Sequence, residues 1–127
     1  MCKWLLVALL ASTGVLAEEG YATYYTEESC KREGTSGVFT ANGERFDEQA
    51  LTCAMRDKRC YNRKHPVYFK VTNLENGKSV VVRLNDFGPG NGPASKGVII
   101  DLTPAAKKAI GMKGKAKVRV EEIKPQA

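Results

Sequence analysis

Two runs of alternating apolar residues, joined by a turn signal, constrain this fold more than any other feature. In 67–73 the side chains of Val67, Phe69 and Val71 alternate with others, and in 79–85 Val80, Val82 and Leu84 do the same. Period-two alternation gives each segment one face for a core. Asn76-Gly77 between them suits a tight hairpin, because both residues tolerate positive φ. Four further runs have strand composition: 21–25, 51–55, 98–102 and 116–123. One helix is marked between the last two, with Thr103 as cap, Pro104 in the first turn and Gly111 as terminator. Many short strands with one or two short helices imply a mainly β domain. A helix crossing between two strands favours a closed barrel over a sandwich.

Residues 1–17 read as a secretory signal peptide: Lys3 is an early positive charge, 4–16 are mostly apolar, and Val15 and Ala17 are small side chains ahead of Glu18. The apolar part is about thirteen residues, against the roughly twenty that span a membrane. The expected product is secreted or periplasmic and not an integral membrane protein after signal cleavage. Residues 18–127, about 110 of them, suffice for one domain, expected as a monomer. The formal net charge is +6, and loss of Lys3 with the leader lowers it by one. A basic exported domain favours an anionic cell-wall polymer. Nucleic acid is not expected, since no basic helix or aromatic platform interleaved with Lys and Arg is evident.

Cys30, Cys53 and Cys60 follow the leader, and an oxidising compartment permits one disulfide among them, with all three pairings open. No metal and no cofactor is expected. There is no CxxC, and His65, the single histidine, reads as an exposed loop residue in a basic segment before Pro66.

Chemistry points to three acids. Asp86, in NDFGP, ends the apolar run 78–84 where Gly88 and Pro89 break the strand and hold a side chain at a rim. Glu44 follows an Asn-Gly turn in ANGERFD, and Asp101 in VIIDLTP lies between an apolar strand and a helix start. Cleaving a glycosidic bond requires a proton for the departing oxygen and stabilisation of positive charge at the anomeric carbon, two tasks that paired carboxyl groups share. Each acid also has a plainer use: Asp86 in an Asx-turn, Glu44 as a solvated turn residue, Asp101 as a helix cap. If two acids share a cleft, like-charge repulsion is expected to raise one pKa. DFG here lacks the other kinase signatures, and GPGNGPASKG lacks the end of a phosphate loop.

The succession YATYY, TANGERFD, LTCAM, VTNLENGKSVVVRLNDFGP, GVIIDLTPAAKKAIG and KVRVEEI resembles the RlpA-like double-psi β-barrel proteins, and more distantly expansin and barwin-like barrels. The resemblance implies a six-stranded double-psi β-barrel. It also implies a lytic transglycosylase that cuts peptidoglycan glycan strands between N-acetylmuramic acid and N-acetylglucosamine, leaving 1,6-anhydro ends. A non-catalytic, expansin-like polysaccharide-binding module is the alternative.

By position, Asp86 matches the family's catalytic aspartate, Glu44 its catalytic glutamate, and Asp101 the aspartate of the expansin-like cleft. Asn42, Arg83, Asn85 and Gly88 would line the substrate groove. Met55 stands where the family's LTAAH motif carries histidine, and methionine can neither shuttle a proton nor donate a hydrogen bond. An insertion at 56–66 follows, and its His65 is the imidazole that could fold back into that place. The only tryptophan, Trp4, lies in the expected leader, so stacking on sugar would fall to other rings.

Overall fold

The computed structural model describes residues 17–32 and 39–124, and the side chains of 17–29 and 39–124. Six strands are present: β1 Ala17–Tyr24, β2 Thr52–Met55, β3 Tyr68–Asn73, β4 Ser79–Phe87, β5 Val98–Leu102 and β6 Ala116–Ile123. They close into a barrel in the order β1-β5-β2-β4-β3-β6. The pairs β1–β5 and β2–β4 are parallel, and the other neighbours are antiparallel. This is the mainly β, six-stranded architecture that the sequence implies. Among the described residues closure leaves no strand edge to pair with another chain.

The alternating runs behave as their period dictates. Val71 and Val82 are fully buried, and with Ile100, Leu102, Ile110 and Val118 they fill the interior. Burying each such side chain stabilises the fold by about 1.5–3 kcal/mol. The β3–β4 hairpin has a wider turn than Asn76-Gly77 alone would make. Asn73 N donates to Lys78 O at 2.8 Å, Gly77 N donates to Asn73 O at 2.7 Å, and Gly77 carries the positive φ, 79°.

Three short helices, α1 Glu27–Arg32, α2 Asn91–Ser95 and α3 Pro104–Ala109, and a 3-10 turn at Lys58–Tyr61 join the strands. Only α3 is marked in the sequence. Thr103 Oγ1 accepts from Ala106 N at 3.3 Å, and Gly111 closes the helix at φ 64°. The other two are too short to show an apolar period.

β1 begins four residues before the expected start, because Ala17–Gly20 forms a largely exposed ladder with β6 and has no buried face to betray it. The remainder of the expected leader lies outside the described residues. Among the described residues no helix is long and apolar enough to cross a membrane.

The disulfide expected among the cysteines does not form at Cys53 or Cys60. Both are free thiols packed in the core as small apolar groups. Burial pushes the Cys60 thiol up to about 11 and Cys53 higher still, so both stay protonated. The Cys30 side chain lies outside the described residues.

Candidate active site

The site begins with an irregularity in the β2–β4 pairing. Cys53 lies opposite Leu84 and Ala54 opposite Asp86, so Asn85 is an extra residue on β4. On a regular strand, residues three apart point to opposite faces. The bulge at Asn85 returns Asp86 to the face that carries Arg83. Across the barrel, Ala54 pairs with Asp101 on β5, and Asp101 pairs with Thr23 on β1. Thr23, Asp101, Ala54 and Asp86 therefore form one row across four strands, with a methyl group between the two acids. The backbones carrying the acids are two strand spacings apart, roughly 10 Å.

The Thr23 hydroxyl donates to Asp101 Oδ1. A Cβ on Gly88 would lie 3.6 Å from Asp101 Oδ2 and 3.7 Å from the Ala54 methyl. The glycine thus leaves the floor between the acids open.

The turn carrying Glu44 docks on the end of β4. Thr40 N donates to Glu44 O at 2.8 Å, and Gly43 turns the chain at φ 90°. Ala41 N then donates to Asp86 Oδ1 at 2.9 Å, as does Phe87 N, and Asn42 N donates to Asn85 O at 3.3 Å. Behind this turn, Tyr25 and Phe46 pack ring on ring, centroids 4.7 Å apart, fixing the loop to the end of β1. The fold therefore brings Glu44, Asn42, Arg83, Asn85 and Asp86 together.

Glu44 and Asp86 occupy opposite electrostatic settings. Glu44 accepts from both terminal nitrogens of Arg83, at 2.8 and 3.0 Å, and from Asn42 Nδ2 at 2.9 Å and Asn85 Nδ2 at 3.2 Å. The Arg83 hydrogen bonds, outweighing burial, hold its pKa down at about 2. Among the described residues Asp86 forms no ion pair. Burial raises its pKa, against the lowering pull of the Phe87 and Ala41 amides and the Tyr25 hydroxyl. One acid is raised, as expected for a shared cleft, but the cause is desolvation and not the neighbouring carboxylate.

Asn85 is buried, so it braces Glu44 from behind. Thr23, Tyr25 and Ala54 escaped sequence reading. Tyr25 and Thr23 sit within YATYY, whose polarity alternates with Ala22 inside, but nothing in LTCAM singles out Ala54. Met55 pairs with Phe87 and packs against the core, one residue past the acid row. His65 is exposed and lines a groove with Lys58, Arg59, Val67 and Glu122, whereas Met55 lines a neighbouring one with Asp57, Arg59 and Phe69. Among the described residues, no three His, Cys, Asp or Glu side chains could hold a metal together.

A family profile described as lytic transglycolase matches residues 17–121. The chain belongs to that family. The probable endolytic peptidoglycan transglycosylase RlpA of Nostoc sp. is 40% identical over 116 residues, 90% of this chain and 28% of that protein. Its Treponema pallidum counterpart is 36% identical over 126 residues, 98% of this chain and 35% of that protein. The endolytic peptidoglycan transglycosylase RlpA of Pseudomonas aeruginosa is 44% identical over 91 residues, 70% and 24%. This lytic transglycolase domain thus spans about a quarter to a third of those curated relatives. In structure, apo expansin from Clavibacter michiganensis superposes with a TM-score of 0.60 at 18% identity, covering 88% of this chain and 52% of that one. At that identity the likeness concerns the barrel alone.

Proposed function

We propose that this chain is an exported lytic transglycosylase that cuts peptidoglycan glycan strands between N-acetylmuramic acid and N-acetylglucosamine. The observation that carries the reading is the pairing, on one rim, of a carboxyl whose pKa burial has raised with one held ionised by a guanidinium. The names of the relatives supply the substrate class. In this scheme 1–17 is the leader and 18–127 the working domain, acting as a monomer outside the cytoplasm.

Asp86 is the acid and then the base. Its protonated form donates to the glycosidic oxygen as the bond from that oxygen to the muramic C1 breaks. The resulting carboxylate takes the proton of the muramic C6 hydroxyl, whose oxygen closes on C1 to give the 1,6-anhydro ring. Protons balance and no water is consumed. One residue acting in both directions needs no imidazole, which accommodates Met55.

Glu44, with its oxygens committed to Arg83, Asn42 and Asn85, is a positioning anion. It holds its turn so that Ala41 N reaches Asp86. In this scheme Asp101, across the Ala54 floor, stabilises positive charge at C1, and Asn42, Arg83 and Gly88 border the sugar.

Incubating the full chain with peptide-stripped glycan strands and analysing products by mass spectrometry tests this. Anhydro-muramyl ends are expected with the wild type and absent with Asp86→Asn. Binding without any such ends would make the chain a polysaccharide-binding barrel instead. Equal product from Asp86→Asn would remove that residue from the mechanism.

A further inference from the structure

The insertion 56–66 is where this chain departs from the LTAAH pattern, and it lies along the candidate site. Arg56 Nη1 donates to Pro89 O at 2.9 Å, and its guanidinium carbon sits 5.7 Å from the centre of the Phe87 ring. Tyr61 lies nearly parallel to Phe87, at 19°, with centroids 6.2 Å apart. Arg63 Nη1 lies 4.0 Å from where a Cβ on Gly43 would be, beside the turn that carries Glu44. The insertion thus borders the site from the loop after Asp86 to the Glu44 turn. Its ring pair is open to solvent: Tyr61 is 56% exposed and Phe87 38%.

From this arrangement we infer that Tyr61 and Phe87 form a sugar-stacking subsite that seats one pyranose of the glycan strand next to the bond being cut. Three features commit the surface to a sugar. Phe87 directly follows Asp86 at the end of β4 and donates its amide to that carboxylate, which sets the ring pair beside the candidate site. A pyranose presents an apolar C–H face and a polar edge. It therefore suits an aromatic plane bordered by a hydrogen-bonding group such as the Arg56 guanidinium. Phe87 is also held in place, since Arg56 ties its ring to the Pro89 carbonyl, so little conformational freedom is lost on binding. Tyr61 is a specificity-determining residue in this account, and the insertion is the element that supplies it.

The subsite deepens the proposed transglycosylase reading, and two measurements separate their failures. One is depletion of the full chain from solution by peptide-stripped sacculi, which requires no catalysis. The other is kcat and KM for release of anhydro-muramyl products. Tyr61→Ala is expected to weaken sacculus binding and raise KM by about tenfold with kcat nearly unchanged, and Tyr61→Trp to restore both. Because Tyr61 is exposed, its melting temperature serves as the control for folding. Phe87→Leu, which keeps an apolar filler, is expected to weaken binding in the same way.

Tyr61→Ala binding as tightly as wild type, or no binding by either protein, overturns the subsite. Ring-dependent binding without anhydro products keeps the subsite and removes the enzyme. Products with an unchanged KM in Tyr61→Ala do the reverse.

Discussion

Glu44 sits on a turn and Asp86 near the end of β4, the two stitched together by hydrogen bonds, yet the barrel gives them opposite electrostatic surroundings. Glu44 meets a guanidinium face-on and two amides, and stays ionised down to about pH 2. Asp86 meets two backbone amides and a buried surround, and its proton is held above the ordinary aspartate range. The difference shows that the partner a carboxylate finds after desolvation sets its role, more than its distance from another acid.

Removing each group in turn breaks the comparison open. The largest effect is expected from Asp86→Asn, which should lower kcat for anhydro-product release by about 10³-fold while the chain stays folded. At neutral pH it should also leave the melting temperature unchanged or slightly raised. A raised folded pKa means that the protonated form favours the fold, and ionising Asp86 above that pKa costs stability. A marked loss of stability in this variant would contradict the burial-driven shift.

Glu44→Gln has the opposite sign. The folded pKa of Glu44 lies below its ordinary value of 4.5, so its ionised form stabilises the fold above that pH. The contribution drains away as pH falls toward about 2. At pH 7 the variant is expected to lose about 2 kcal/mol in denaturant unfolding, less than a fully buried pair because the pair is partly solvated. The gap from wild type should close between pH 4.5 and 2; a constant gap would mean that Arg83 contributes through packing rather than charge.

A smaller effect is expected from Asp101→Asn, about tenfold in kcat, with the pH dependence of cleavage unmoved because Asp86 still carries the proton. The smallest is expected from Met55→His. Packing against the core keeps this position off the acid row, so the pH profile should not gain an ionisation near 6.5. Appearance of that ionisation would show that an imidazole there reaches the reacting proton.

Much of the barrel could be read along the chain, because its strands advertise themselves by period. Val67, Phe69, Val71 and Val80, Val82, Leu84 alternate for a physical reason, one wet face and one dry. Thr103-Pro104 and Gly111 mark α3 through local backbone chemistry. The acids were visible as well, each at a break in such a pattern. What was not visible depends on partners far apart in sequence. The ladder at Ala17–Gly20 has no apolar signature, and the free thiols of Cys53 and Cys60 follow from their burial in one core. Arg83 reaches Glu44 across 39 positions.

Local preference, turn chemistry and hydrophobic period are properties of neighbouring residues, and they determined that this chain forms short strands around one core with carboxylates at its bends. Closure of the barrel decided the rest. The extra residue at Asn85 turned Asp86 onto the face of Arg83, and parallel pairing with β4 and antiparallel pairing with β5 set Ala54 between Asp86 and Asp101. Protonation followed from those placements, since electrostatic energy depends on distance and solvent exposure, and neither exists until the strands have met.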